Sequence, residues 1–197
     1  MIGRDALAVS SAFNAKAARE GWGSRCETQL EFHCPELSAI HTLWREKAGT
    51  RPIPARQDFS LRCVKTYLRD VAIYERTVTE EGRCRYRVRL MGTTFAETMG
   101  DLTGKYLDEA IPESFLPRWY AALDATLDAG VPLRFVARSD TAGKSYLVAE
   151  YFEAPLLDDN GAASMVLACS HFSALATSTE LVAGTNIGPV ARSVSAA

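Results

Sequence analysis

Cys169 and His171 stand two residues apart in the apolar run "MVLACSHF", where strand spacing puts both side chains on one face. A cysteine beside a histidine is the start of a thiol nucleophile, or of a haem ligand set. Nucleophilic chemistry needs a third, orienting group, and none is identifiable; a buried cysteine on an apolar strand is the ordinary alternative. Cys26, His33, Cys34 and His41 put four sulfur and nitrogen ligands within sixteen residues. Zinc sites draw on close pairs such as C-x2-C, and adjacent residues like His33 and Cys34 point apart in most backbones. These four are read as plain thiols and surface imidazoles. Asp101, Asp108 and Glu109 resemble paired carboxylates, but acids flanking short helices are explained more simply by capping and the helix dipole. Arg83, Arg85, Arg87 and Arg89 form one row of a strand whose other row is Cys84, Tyr86, Val88 and Leu90. The row suits an anion or a nucleic acid, or else a solvated face whose charges meet Asp70, Glu75 or Glu153 on other strands. A net charge of -2 favours the solvated face. The expectation is a chain without a catalytic constellation, without a metal site and without a nucleic-acid partner.

The elements that would carry these residues follow from composition and period. The 197 residues, 47% hydrophobic and 23% charged, are enough for one domain with extensions. No run approaches a membrane span, and the first twenty residues lack the pattern of a secretory signal, so a cytoplasmic chain with reduced cysteines is expected. Residues 1–34 read as a partly ordered arm, and 175–197, small and polar without period, as a disordered tail. Between them, residues 35–174 read as the domain. Leu37, Ile40 and Trp44 mark a helix after Pro35, and Gly49 stops it. Two strands around "TEEGR" form a hairpin, and a short helix follows over Thr93–Met99. The longest helix begins near Ser114, read as its N-cap, and ends at Gly130. Three strands close the domain. Strands in hairpins, with helices grouped between them, predict an α+β fold with an antiparallel sheet.

That order, together with "YRVRLMGTTFAETMGDLTGKYLDE", the distant "EYFEAPL" and the closing "VLAC", resembles a PAS domain. It is similar to a group of small stand-alone bacterial PAS proteins common in alphaproteobacteria, with a strand ending in Arg-x-x-Gly-Thr, a short helix, and Gly-x-x-x-Thr-Gly. Here these are Arg89, Gly92, Thr93, Gly100, Thr103 and Gly104, with Pro155 beyond them. The resemblance covers roughly residues 36–174. It implies a five-stranded antiparallel sheet with short helices and one long helix on one face, plus an N-terminal helix. It also implies a pocket between sheet and long helix, lined by Tyr86, Val88, Leu90, Phe95, Met99, Trp119, Tyr120, Leu123 and Phe135, which equally suit a plain core. The glycines are suited to turning the chain, and Thr93, Thr94 and Thr103 to capping the short helices.

No cofactor is named: residues 50–170 hold no histidine for an axial haem ligand, and the Asn-Cys-Arg signature of flavin photoreceptor domains is absent. The last two strands are apolar on both faces, so both need cover. The Leu37–Ile40–Trp44 helix is the natural cover for the outer face. Where it covers incompletely, a second copy or a protein partner would dock there. The function expected is a sensory or regulatory module that binds a small molecule and signals in trans through protein contact. The alternative is a ligand-free interaction or dimerisation module with a filled core.

Overall fold

A computed structural model describes residues 5–60, 62–138 and 147–174. The expected tail, 175–197, lies outside the described residues, as do the side chains of Thr98, Met99, Leu147 and Ala174. The elements in chain order are α1 (Ala6–Glu20), β1 (Ser24–Glu27), α2 (Pro35–Ala48), a one-turn 3-10 helix (Arg56–Asp58), β2 (Val71–Val78), β3 (Cys84–Met91), α3 (Thr93–Met99), α4 (Leu107–Ala110), α5 (Leu116–Ala129), β4 (Leu133–Arg138), β5 (Leu147–Leu157) and β6 (Ala163–Ala174). One antiparallel sheet runs β1-β4-β5-β6-β2-β3.

The α+β class stands, with six strands where five were expected. The sixth is β1, from the segment read as an arm, which adds to the free edge of β4. Ahead of it α1 is a fifteen-residue helix. Asp5 caps it by accepting the Leu7 N–H at 3.1 Å, and Gly21 ends it at φ 67. Its sequence is alanine-rich on every side, so no stripe stands out, yet Val9, Phe13 and Ala17 fall on one line and are buried. They pack against Ala125 and Ala129 of α5 and Leu133 and Phe135 of β4. Small residues on α5 permit that close approach.

The opposite face of the sheet lies under α2 and the segment after it. Leu37, Ile40 and Trp44 pack with Phe59 and Val64 on Ile73, Phe152, Leu156, Leu167 and Cys169. Trp44 Nε1 donates to the Pro155 carbonyl at 3.0 Å, which ties helix to sheet. Pro155 itself sits beyond the Leu133–Glu153 pair that begins β4, so its missing N–H breaks no ladder bond. The cover is close: among the described residues the exposed large hydrophobics are Leu7, Val78 and Val131, none in this cluster. The bare patch that incomplete cover would leave is therefore not found there.

Gly92 matters through contact rather than through φ. A Cβ at that position would lie 2.2 Å from the Leu68 carbonyl oxygen and 2.3 Å from that of Arg69. The backbone passes so closely because Gly92 N–H donates to Val71 and Thr94 N–H to Arg69, both at 2.8 Å. Gly104, at φ 84, turns the chain back along β3, donating to Val88 at 2.8 Å while Val88 donates to Lys105 at 2.9 Å. The N-cap of α3 is Gly92, which has no side chain to offer, and Asp101 forms an Asx turn by accepting the Thr103 N–H on Oδ1 at 2.9 Å. Ser114 does not cap α5 either; the N-cap is Phe115, and the Pro112 carbonyl takes the Phe115 and Leu116 amides.

Candidate ligand cavity

Between sheet, α5 and α1 the side chains leave a cavity of about 50 Å³. That is room for several waters or a molecule of a few heavy atoms, below the roughly 300–1,000 Å³ of common ligand pockets. From α5 come Arg118, Trp119, Ala122 and Leu123, spaced so that one helix face meets the cavity. From the sheet come Tyr74 of β2, Phe135 and Ala137 of β4, Tyr151 and Glu153 of β5, and Ala168 of β6. Phe95 of α3 closes one side, and Phe13 of α1 with Ser24 of β1 closes the other.

Four of the nine expected lining residues reach it: Phe95, Trp119, Leu123 and Phe135. Tyr86 and Val88 are buried beside the cavity in the core under α5, and Tyr120 packs there on the Tyr86 ring at 5.2 Å. Tyr86 serves as an anchor instead. Its hydroxyl donates to Asp124 Oδ1 at 2.5 Å, and burial with that bond holds its pKa far above the usual phenol range. Leu90 packs against the outer cluster, because a register shift between Ile73 and Tyr74 changes its side of the sheet relative to Val88. The Met99 side chain lies outside the described residues.

The polar lining was not anticipated. Tyr74 is 2% exposed, and its hydroxyl makes no hydrogen bond among the described residues; neither does the Ser24 hydroxyl. Buried polar groups are nearly always paired, so two unpaired hydroxyls on one cavity are informative. Glu153 accepts the Thr126 hydroxyl at 3.1 Å, and burial pushes its carboxyl up to about 7. Arg118 donates to the Trp22 carbonyl at 3.2 Å, which ties α5 to the start of β1. The available signal for Glu153 was an acid in a strand otherwise apolar on both faces. No local pattern marks Phe13 or Ser24, because the fold alone carries the arm to the cavity.

The other candidate residues are dispersed. Cys169 is buried in the outer cluster and its thiol is pushed up by burial, while His171 is exposed. Cys26 belongs to the cluster under α1 and Cys34 to the one under α2, on opposite faces. Arg85 grips Asp108 with two bonds of 2.8 and 2.7 Å, reaches Glu109 at 2.8 Å and stacks on Tyr106. Arg87 donates to the Gly104 carbonyl, and Arg89 lies 3.4 Å from Glu75. Glu153, expected as an outer partner for that row, instead faces the cavity.

A buried charge cluster also escaped the sequence. Glu150, fully buried, takes Arg134 Nε at 2.7 Å and the His33 and Cys34 amides at 3.2 and 3.3 Å; Arg134 also bonds Glu27. It fastens β1, β4 and β5 to the start of α2.

A comparison with curated proteins finds no match. Among solved structures the chain is similar to a light-oxygen-voltage domain studied with a flavin analogue, at 14% identity over 65% of this chain and 95% of that one, TM-score 0.41. It is similar also to a sensory box histidine kinase/response regulator from Burkholderia thailandensis E264, at 13% identity over 62% and 90%, TM-score 0.36. A third is an RNA-binding light-oxygen-voltage receptor, at 11% identity and TM-score 0.40; 83% of this chain aligns, spanning 43% of that receptor. Among the described residues no helix is long and apolar enough to cross a membrane. The family model of the PAS domain matches residues 32–171, well over half of the sequence, and the chain therefore belongs to the PAS domain family.

Proposed function

We propose that this PAS domain is a cytoplasmic, non-enzymatic sensory module that binds a small molecule in the cavity between α5, α1 and the sheet, and passes its state to a protein partner. The observation that carries this reading is the pair of buried hydroxyls, Tyr74 and Ser24, that line the cavity without hydrogen-bond partners. A ligand supplying those bonds would be favoured over an empty site, since an unmade buried hydrogen bond costs about 1–3 kcal/mol. It would also favour the arrangement of α5 that completes the bonds, and so shift the population of states. On the outer side a partner would meet the free face of α2, which presents Glu36, Ser38, Thr42, Arg45 and Glu46. Recognition there would be polar.

The small volume favours a second reading, an interaction module whose core is filled by its own side chains. A native mass spectrum compared with the denatured mass, with an absorbance scan, separates the two. Extra mass that leaves on denaturation is expected, and Ala168→Leu should abolish it by filling the cavity. A bare native mass, with Ala168→Leu more stable than the parent, would overturn the sensor reading.

A further inference from the structure

Glu153, Ala168 and Ala72 stand in register across β5, β6 and β2. Glu153 and Ala168 both line the cavity, and two alanines in a row leave open the floor beside the carboxyl that larger side chains would fill. Glu153 is 8% exposed, and the Thr126 hydroxyl, 3.1 Å from Oε2, is its hydrogen bond among the described residues. A carboxylate has about four acceptor sites, so most of its capacity is unused. The other polar groups that face it are Tyr74 from β2, Tyr151 on its own strand and Cys26 from β1, each pushed up by burial and further by its charge. None of these is a cation. Arg118 lines the same cavity, but its charge is felt by Tyr151, while burial and the Thr126 bond are what set the Glu153 carboxyl. Two residues beyond Ala72, on the same face, the buried Tyr74 hydroxyl also lines the cavity without a partner among the described residues.

We propose that the cavity takes a primary alkylammonium ion, its N–H groups donating to Glu153 and to the Tyr74 hydroxyl oxygen, and its alkyl part packed among Phe95, Trp119 and Tyr151. This rests on reading the cavity as a ligand site, and it names the class of ligand. The volume of about 50 Å³ admits a molecule of about two to four heavy atoms. A buried carboxylate is stable only when paired, and none of the described groups that face Glu153 brings the pairing charge. An anion would be repelled there, and a neutral ligand would leave the carboxyl either protonated or uncompensated. An ammonium has three N–H donors and no acceptor, which suits a carboxylate standing near a hydroxyl oxygen. Tyr74 and Trp119 meet edge to face at 6.1 Å, and Phe95 stands tilted to Tyr151 at 6.5 Å. These rings keep water from the alkyl part, and a ring face turned to the nitrogen adds cation–π attraction.

The test is titration of the full chain, at constant ionic strength, with methylammonium, ethylammonium and isopropylammonium, beside isopropanol and acetate, which match the largest in size without its positive charge. Calorimetry and Trp fluorescence are the readouts. One alkylammonium is expected to bind at least about tenfold more tightly than isopropanol and acetate. Its affinity should fall about tenfold from pH 8 to pH 6, because the Glu153 carboxyl, pushed up by burial to about 7, must lose its proton to bind. Glu153→Gln should weaken that alkylammonium by about tenfold or more and remove the pH dependence. Circular dichroism checks the fold of the variant. Tyr74→Phe, which keeps the ring and removes one acceptor, is the second variant and should weaken binding by about threefold or more. Equal binding of isopropanol or acetate, an affinity unchanged in Glu153→Gln, or no binding of any alkylammonium at tens of millimolar overturns the proposal. The native mass spectrum separates the two failures. Extra mass of another kind leaves the sensor reading standing, and a bare mass with Ala168→Leu more stable than the parent removes both.

Discussion

The Asn14 carboxamide holds both main-chain groups of Cys26: its Nδ2 donates to the Cys26 carbonyl at 2.9 Å, and its Oδ1 accepts the Cys26 amide at 2.8 Å. Ser10 adds a third bond to the same carbonyl at 2.8 Å. A helix side chain thus stands where a further strand would pair, and it closes the exposed edge of β1. Phe13, one residue before Asn14, reaches the cavity through this lock.

Asn14→Leu should release that lock. The Cys26 amide would lose its partner, at about 1–3 kcal/mol before relaxation, while the Cys26 carbonyl keeps the Ser10 hydroxyl. Hydrogen exchange should quicken in α1 and β1 while β2, β5 and β6 stay protected. Uniform loosening of the whole sheet would show that the arm is not a separable element.

Glu150→Gln tests the charge cluster at the start of α2. It leaves Arg134 buried without its full counter-charge, and breaking a buried pair in this way costs about 3–5 kcal/mol. A denaturant midpoint close to that of the parent would contradict the assignment. Arg134→Met with Glu150→Leu should recover much of the loss, since paired apolar replacement removes both desolvation costs.

Glu153 should give a pH dependence of definite sign. Its carboxyl is pushed by burial from 4.5 to about 7, so between these values the folded chain binds a proton that the unfolded chain has lost. The stability tied to its neutral form is full below 4.5, falls as pH rises towards 7, and is level above. The whole change is about 3 kcal/mol at most. The difference between the stability curves of parent and Glu153→Gln should show this slope, and a flat difference from pH 4 to 8 would refute it.

Gly92→Ala should destabilise although the residue has an ordinary φ of -73. Its Cβ would overlap two carbonyls, and main-chain atoms do not swing aside as a side-chain end would. Overpacking of this kind costs about 1–3 kcal/mol or more. Gly82→Ala serves as the contrast, since a Cβ there meets nothing within 4 Å and the cost is only that of its positive φ.

Alkylation should divide the cysteines by burial. Cys84 is exposed and should react first, with Cys63 slower, while Cys26, Cys34 and Cys169 stay unmodified in the folded chain. Rapid labelling of Cys169 would revive a thiol nucleophile on β6.

Local signals carried far in the domain itself. Gly49 and Gly130 ended helices where expected, the "TEEGR" turn joined β2 to β3, and the two-faced apolar strands announced a sheet covered on both sides. These depend on neighbours in the chain: a turn residue, a period, a stop. The arm was less legible, since alanine on every side of α1 gives no amphipathic stripe, and its burial exists only because α5 offers small residues against it. The cavity was least legible. Tyr74, Glu153 and Ser24 are far apart in sequence and ordinary in their own strands; what sets them apart is the low-dielectric space they share. The amino-acid order determined the elements, the antiparallel sheet and the family motif, because these are written in residues a few positions apart. Tertiary packing alone decided which side chains face the cavity and which stay without hydrogen-bond partners, because burial and the pKa of Glu153 are properties of surroundings drawn from five strands and three helices.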